Sequence, residues 1–152
     1  MAQNQDIVDS LNDLVQINND RIRGYQSSVD NVQDAELADL FRHMIVQSQK
    51  FRSELADHIV RLDGKAVEEA TSTDLSSKFH RAWLDIKASI FDNKKATVLS
   101  SVEFGEGAAV DAYEEALDDD DLPSHVKDVV QNQLTELRTA LDKVKALHEA
   151  AD

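Results

Sequence analysis

"SVEFGEGAAVDAYEEAL", residues 101–117, has the spacing of a buried helix but unusual residues for one. Val102, Glu106, Ala109, Tyr113 and Ala116 recur at steps of three and four, which puts them on one helical face. That face carries a glutamate, and glycines flank it at positions 105 and 107. A helix-interior glycine is less stable than alanine by about 1 kcal/mol. A buried carboxyl group must be hydrogen-bonded or protonated. The expectation is that Gly105 and Gly107 clear space around Glu106, so that a neighbouring helix or a water approaches it.

The same periodicity continues through the chain. Val8, Leu11, Val15, Asn18, Ile22, Tyr25, Val29 and Val32 form a first stripe. Asp34 then offers an N-cap. Leu37, Phe41, Met44, Ser48, Phe51, Leu55, His58 and Leu62 form a second stripe, with Gly64 in place to stop it. Leu99 begins the stripe that contains Glu106. "DDDDLP" ends it, and Pro123 lies near the first turn of the next helix. Val126, Val130, Gln133, Leu137, Ala140, Val144 and Leu147 make the fourth stripe. Short turns after the first and third helices predict two antiparallel hairpins.

Residues 65–94 join the hairpins. Leu75, Phe79, Trp83, Ile86 and Ile90 have amphipathic helical spacing, and "DNKK" looks like a break after them. A helix of about 17 residues is roughly 25 Å long, which carries the chain back to the end where the second helix began. The prediction for residues 1–152 is therefore one all-α domain. It is a ferritin-like four-helix bundle of two antiparallel hairpins with a helical crossover between helices 2 and 3. A five-helix bundle with equal partners is the alternative.

Composition excludes several classes. The chain has 152 residues, enough for one core. It has no cysteine, hence no disulfide, thiolate metal site or cysteine nucleophile. Its net charge of −14 repels phosphate backbones and anionic lipid heads, so neither nucleic acid nor a membrane surface is an expected partner. No apolar run approaches the ~20 residues of a membrane span. The start, "MAQNQDIVDS", lacks the basic and apolar pattern of a secretion signal. A cytoplasmic location follows as an expectation. There is no Gly-rich phosphate loop and no G-x-S-x-G, and "DDDD" at 118–121 lacks the glycine and glutamate of a calcium loop.

Each long stripe contains one polar intruder: Asn18, Ser48, Glu106 and Gln133. Folding the hairpins about positions 33 and 121 brings all four near mid-bundle. Ferritin-like proteins place a di-metal site at that height, built from glutamates and Glu-x-x-His pairs. Here Glu-x-x-His is absent, and the nearest pattern, Glu54-x-x-x-His58, puts only His58 on a stripe. Glu103 and Glu106 are the one close carboxylate pair and the only candidate metal ligands. His43, His80, His125 and His148 are scattered. Two readings stand. One is a structural layer in which Asn18, Ser48 and Gln133 donate hydrogen bonds to Glu106, so that Glu106→Gln changes stability by no more than about 1–2 kcal/mol. The other is a residual metal or ligand site.

"LNDLVQINNDRIRGYQSSV", "FHRAWLDIK" and "VEFGEGAAVDAYEEAL", followed by an acidic turn with "LP", resemble a bacterial family of ferritin-like four-helix-bundle proteins known only as a domain of unknown function. The resemblance implies a ferritin-like fold and a stress-associated role, and supplies no activity. Ferritins have a ligand glutamate seven residues before a tyrosine. The matching residue before Tyr25 is Asn18. Their second-helix Glu-x-x-His falls on Ser48 and Phe51, before Leu55. No catalytic residue and no cofactor are therefore expected. The expected function is a non-enzymatic binding, assembly or stress-associated module with a degenerate metal site. The alternative is a di-metal (iron) carboxylate oxidase or iron-storage protein with unusual ligands. A homo-oligomer, in particular a dimer, is expected through Trp83 and Phe91.

Overall fold

The computed structural model describes residues 2–65, 81, 84, 94–118 and 122–151. Four long helices account for nearly all of these: α1 (Ala2–Asn31), α2 (Ala35–Arg61), α3 (Lys95–Leu117) and α4 (Ser124–Ala151). No strand occurs among the described residues. The predicted crossover residues Leu75, Phe79, Trp83, Ile86 and Ile90 lie outside them, as do His80 and Phe91.

The hairpins form where the sequence places its caps. Asp34 has extended backbone and its side chain accepts from the Leu37 amide at 3.0 Å. That bond satisfies one of the unpaired amides at the start of α2. It also holds the Asp34 carboxyl below its usual range, with Lys95 adding its charge. At the other end of α2 the left-handed residue is Asp63 (φ 59°), not the expected Gly64. Asp63 N–H donates to Val60 and Gly64 N–H to Ile59, which satisfies two of the last carbonyls. Gly64 is small for another reason. A Cβ there would lie 2.7 and 2.8 Å from the two Val8 methyls and 3.0 Å from Ile59.

The two hairpins, α1–α2 and α3–α4, pack through α2 against α4 and α1 against α3. Their relative direction is read from both ends. Lys95, at the start of α3, pairs with Asp34 (3.5 Å) and Glu36 at the start of α2. At the opposite end, His58 near the end of α2 stacks on His125 in the first turn of α4. The α2 and α3 helices therefore run in the same direction, and each neighbouring pair in the bundle is antiparallel.

The inner faces of all four helices merge into one core. On α4 the stripe residues Val126, Val130, Gln133, Leu137, Ala140 and Val144 are all buried. On α1 the buried seam differs from the expected one. Residues 14–21 are buried without interruption, and Arg21 is fully buried while Ile22 is only half-buried. No described helix is long and apolar enough to cross a membrane.

The opening glycines also differ from expectation. Gly105 is buried, but Gly107 is half-buried and a Cβ on it would have no atom within 4 Å. Nothing approaches Glu106 through Gly107. Gly107→Ala should therefore stabilise the fold by about 0.5–1 kcal/mol, through helix propensity and lower unfolded-state entropy. Gly64→Ala should destabilise it by about 1–3 kcal/mol, because the Val8 methyls must move. Urea midpoints of the two variants should shift in opposite directions.

Candidate functional site

Two connected groups of buried polar residues lie at mid-bundle. The first is charged. Arg21, on α1, faces Glu106, on α3, with both side chains essentially removed from solvent. Arg21 Nε donates to Glu106 Oε2 at 3.1 Å and Nη2 donates to Oε1 at 2.6 Å. This side-on, two-bond geometry fixes the guanidinium plane against the carboxylate. Nη2 also reaches Gln47 Oε1 at 3.1 Å and Met44 Sδ at 3.4 Å, both on α2. The guanidinium carbon lies 5.9 Å from the centre of the Tyr25 ring, which stacks on Phe41. That is within cation–π range.

The electrostatics follow from this enclosure. Burial, the largest influence, lowers the Arg21 pKa, but the charge and hydrogen bonds of Glu106 together with the neighbouring Tyr25 and Tyr113 outweigh it and leave it above its ordinary value. Burial, and then the negative charge of Glu106, push the Tyr25 hydroxyl well above its usual range. Two unlike charges enclosed together are mutually dependent. Each makes the burial of the other tolerable.

The second group is built on the uncharged side chains of Asn18, Tyr113 and Gln133, ends on α2 at Glu54, and touches all four helices. Asn18 Nδ2, on α1, donates to Tyr113 Oη, on α3, at 2.9 Å. Tyr113 Oη donates to Gln133 Oε1, on α4, at 2.6 Å. Gln133 Nε2 donates to the Phe51 carbonyl (3.2 Å) and Glu54 Oε1 (3.1 Å), on α2. Burial pushes the Tyr113 hydroxyl pKa up, so it remains a donor at neutral pH. Asn18 also donates to its own helix at the Leu14 carbonyl, 2.9 Å away.

The sequence-predicted layer residues Asn18, Ser48, Glu106 and Gln133 are all buried, but their partners differ from those expected. None of the three neutral residues donates to Glu106. Ser48 bonds back to the Met44 carbonyl at 2.7 Å, while Asn18 and Gln133 meet at Tyr113. Arg21 holds Glu106, so a glutamine at 106 is no neutral replacement. It would leave the guanidinium without its counter-charge.

Arg21 was legible only indirectly. It stands three residues after Asn18 and four before Tyr25, hence on their face. A buried Glu106 also requires a cation at its own height. The other candidate carboxylate, Glu103, points elsewhere and sits 3.4 Å from His148 Nδ1. Glu103 and Glu106 therefore do not converge. Among the described residues no group of three His, Asp or Glu side chains is placed to hold a metal. His43 is exposed.

The chain matches the family described as "Domain of unknown function (DUF2383)" over residues 6–119, and it belongs to that family. No curated protein matches it.

Two predictions follow from this geometry. Tyr113→Phe keeps the ring but removes the hydroxyl between Asn18 and Gln133. Leaving those buried groups unpaired should cost about 1–3 kcal/mol in a urea titration, with the helical circular-dichroism spectrum retained. The second concerns His58. Burial, then the charges of Arg61 and His125, hold its pKa below the ordinary value against the opposing pull of Asp57 and Glu54. A histidine depressed in the folded state stabilises it above the unfolded pKa of about 6.5. That contribution is lost as pH falls through the folded pKa. Wild-type stability should thus fall more steeply below about pH 6.5 than that of His58→Gln.

Proposed function

We propose that this family member is a ferritin-like helical bundle acting as a non-enzymatic binding or assembly module. In this reading a salt bridge stands where related bundles carry metal ligands. One observation carries the reading: the side-on clasp of Arg21 on Glu106. A metal ion at Glu106 would have to displace a buried guanidinium that has no solvent to receive its charge. The residues at the other ligand positions do not fit a metal either. Asn18 and Ser48 are neutral, the Ser48 hydroxyl is bonded back to its own helix, and Phe51 has no ligating side-chain atom. No reaction step is therefore assigned to iron here. The polar groups of the layer bond to one another across α1, α2, α3 and α4, which suits a part that keeps its shape while its surface is used.

The surface is acidic overall, with a net charge of −14. It fits protein contacts better than nucleic acid or anionic membranes. We expect self-association as a dimer, and a role in a stress response remains part of this proposal.

Two measurements test the reading. Protein produced with added iron should contain far less than one iron per chain, unchanged by Glu106→Ala. Two irons per chain, lost in Glu106→Ala, would replace this reading with a di-iron oxidase or storage protein. Light scattering at high micromolar concentration should give a dimer mass. A monomer mass there would remove self-association from the proposal.

A further inference from the structure

The outer face of α3 carries a knob and a hollow on one stripe. Ser100, Phe104, Gly107 and Asp111 follow one another at steps of four, three and four, so they line one side of the helix. Ser100, Phe104 and Asp111 are exposed, and Gly107 is half-buried. The Phe104 side of this stripe is the knob, 66% exposed. Gly107 is the hollow, where a Cβ would have no atom within 4 Å. Val46 on α2 is exposed to a similar degree, but Arg42 and Lys50 stand one turn away on either side of it. On α3 the only charged residues between Lys95 and Asp111 are Glu103, beside His148, and Glu106, clasped by Arg21.

The charges at the two ends of α3 define what fits this face. Lys94 and Lys95 stand at its start, and Asp111, Glu114, Glu115 and Asp118 at its end. Its first turn has no acid and its last turn no base. Each end therefore carries the sign that the helix dipole disfavours. Lys95 is engaged with Asp34 and Glu36, whereas Lys94 is exposed. A second α3 laid antiparallel would bring Glu115 and Asp118 of one copy toward the partner's Lys94. The stripe fits the same arrangement. A two-fold axis crossing α3 between positions 105 and 106 exchanges 104 with 107 and 100 with 111. Phe104 then lies over the partner's Gly107, and the Ser100 hydroxyl faces the partner's Asp111 carboxylate. A contact of this kind is self-complementary, as a two-fold interface must be. Steps of four and three are also those of helices that cross at about 20°. We propose that a second copy of this chain docks on the outer face of α3, through antiparallel pairing of the two α3 helices. Two copies with a net charge of −14 each repel one another. The strip from Ser100 to Gly107 lets them approach, because its outward residues carry no charge. This inference rests on the self-association proposed above and names its surface.

The full chain tests both separately. Wild type should give a dimer mass by light scattering at high micromolar concentration. Phe104→Ser should raise the dissociation constant about tenfold or more, with the helical circular-dichroism spectrum unchanged because Phe104 is exposed. A wild-type monomer would remove self-association and this interface with it. A wild-type dimer that Phe104→Ser leaves intact would overturn the interface alone. Introduced cysteines test the register, since the chain has none of its own. Positions 100 and 111 are about 16 Å apart along one helix, too far for a disulfide within one copy. Oxidation of the double variant Ser100→Cys, Asp111→Cys should give a covalent dimer, and oxidation of either single variant should not. A double variant that does not link, or single variants that link as readily, would contradict the antiparallel pairing.

Discussion

A guanidinium and a carboxylate enclosed together at mid-bundle constrain everything around them. Arg21 belongs to the first hairpin and Glu106 to the second. Moving either charge into a protein interior costs several kcal/mol, and the pair recovers this only in good geometry with further hydrogen bonds. Apolar packing tolerates a small slide of one helix along another. A two-bond clasp between buried charges does not. The ion pair therefore fixes the height at which the hairpins meet, and the stripes of α1 to α4 must match that height.

The neutral relay carries the same constraint around the bundle. Asn18, Tyr113 and Gln133 each have a partner on a different helix, and the relay ends on the Phe51 carbonyl and Glu54 of α2. A half-satisfied polar network is worse than an apolar core, so such layers favour one arrangement over near alternatives. The apolar residues above and below supply most of the burial energy. At the ends, Lys95 with Asp34 and Glu36, and His58 with His125, meet where this register brings them.

Most of the architecture was legible from spacing. Stripe residues such as Leu37, Phe41, Met44, Phe51 and Leu55 on α2 are all buried, because a 3.6-residue period admits few other solutions. The four polar intruders were visible as interruptions of those stripes. Their bonding was not, because periodicity locates a residue on a face without saying which neighbour its polar atoms meet. Arg21 was missed for a specific reason. The seam was drawn through Ile22, and an arginine beside an isoleucine reads as the solvated member of the pair. Burial is reversed here because Glu106 needs a charge. Asp63 was missed because glycine is the usual left-handed residue at a helix end. Gly64 beside it has its own role, against Val8.

The central claim is that Arg21 and Glu106 are tolerated in the core only as a pair. Urea unfolding of Arg21→Met, Glu106→Leu and the double variant measures this directly. Each single change strands a buried charge and should cost about 3–5 kcal/mol. The double variant removes both charges and should lose far less than the sum, with a coupling above about 2 kcal/mol. Additive losses, or single losses below about 1 kcal/mol, would show two independent side chains and contradict the account.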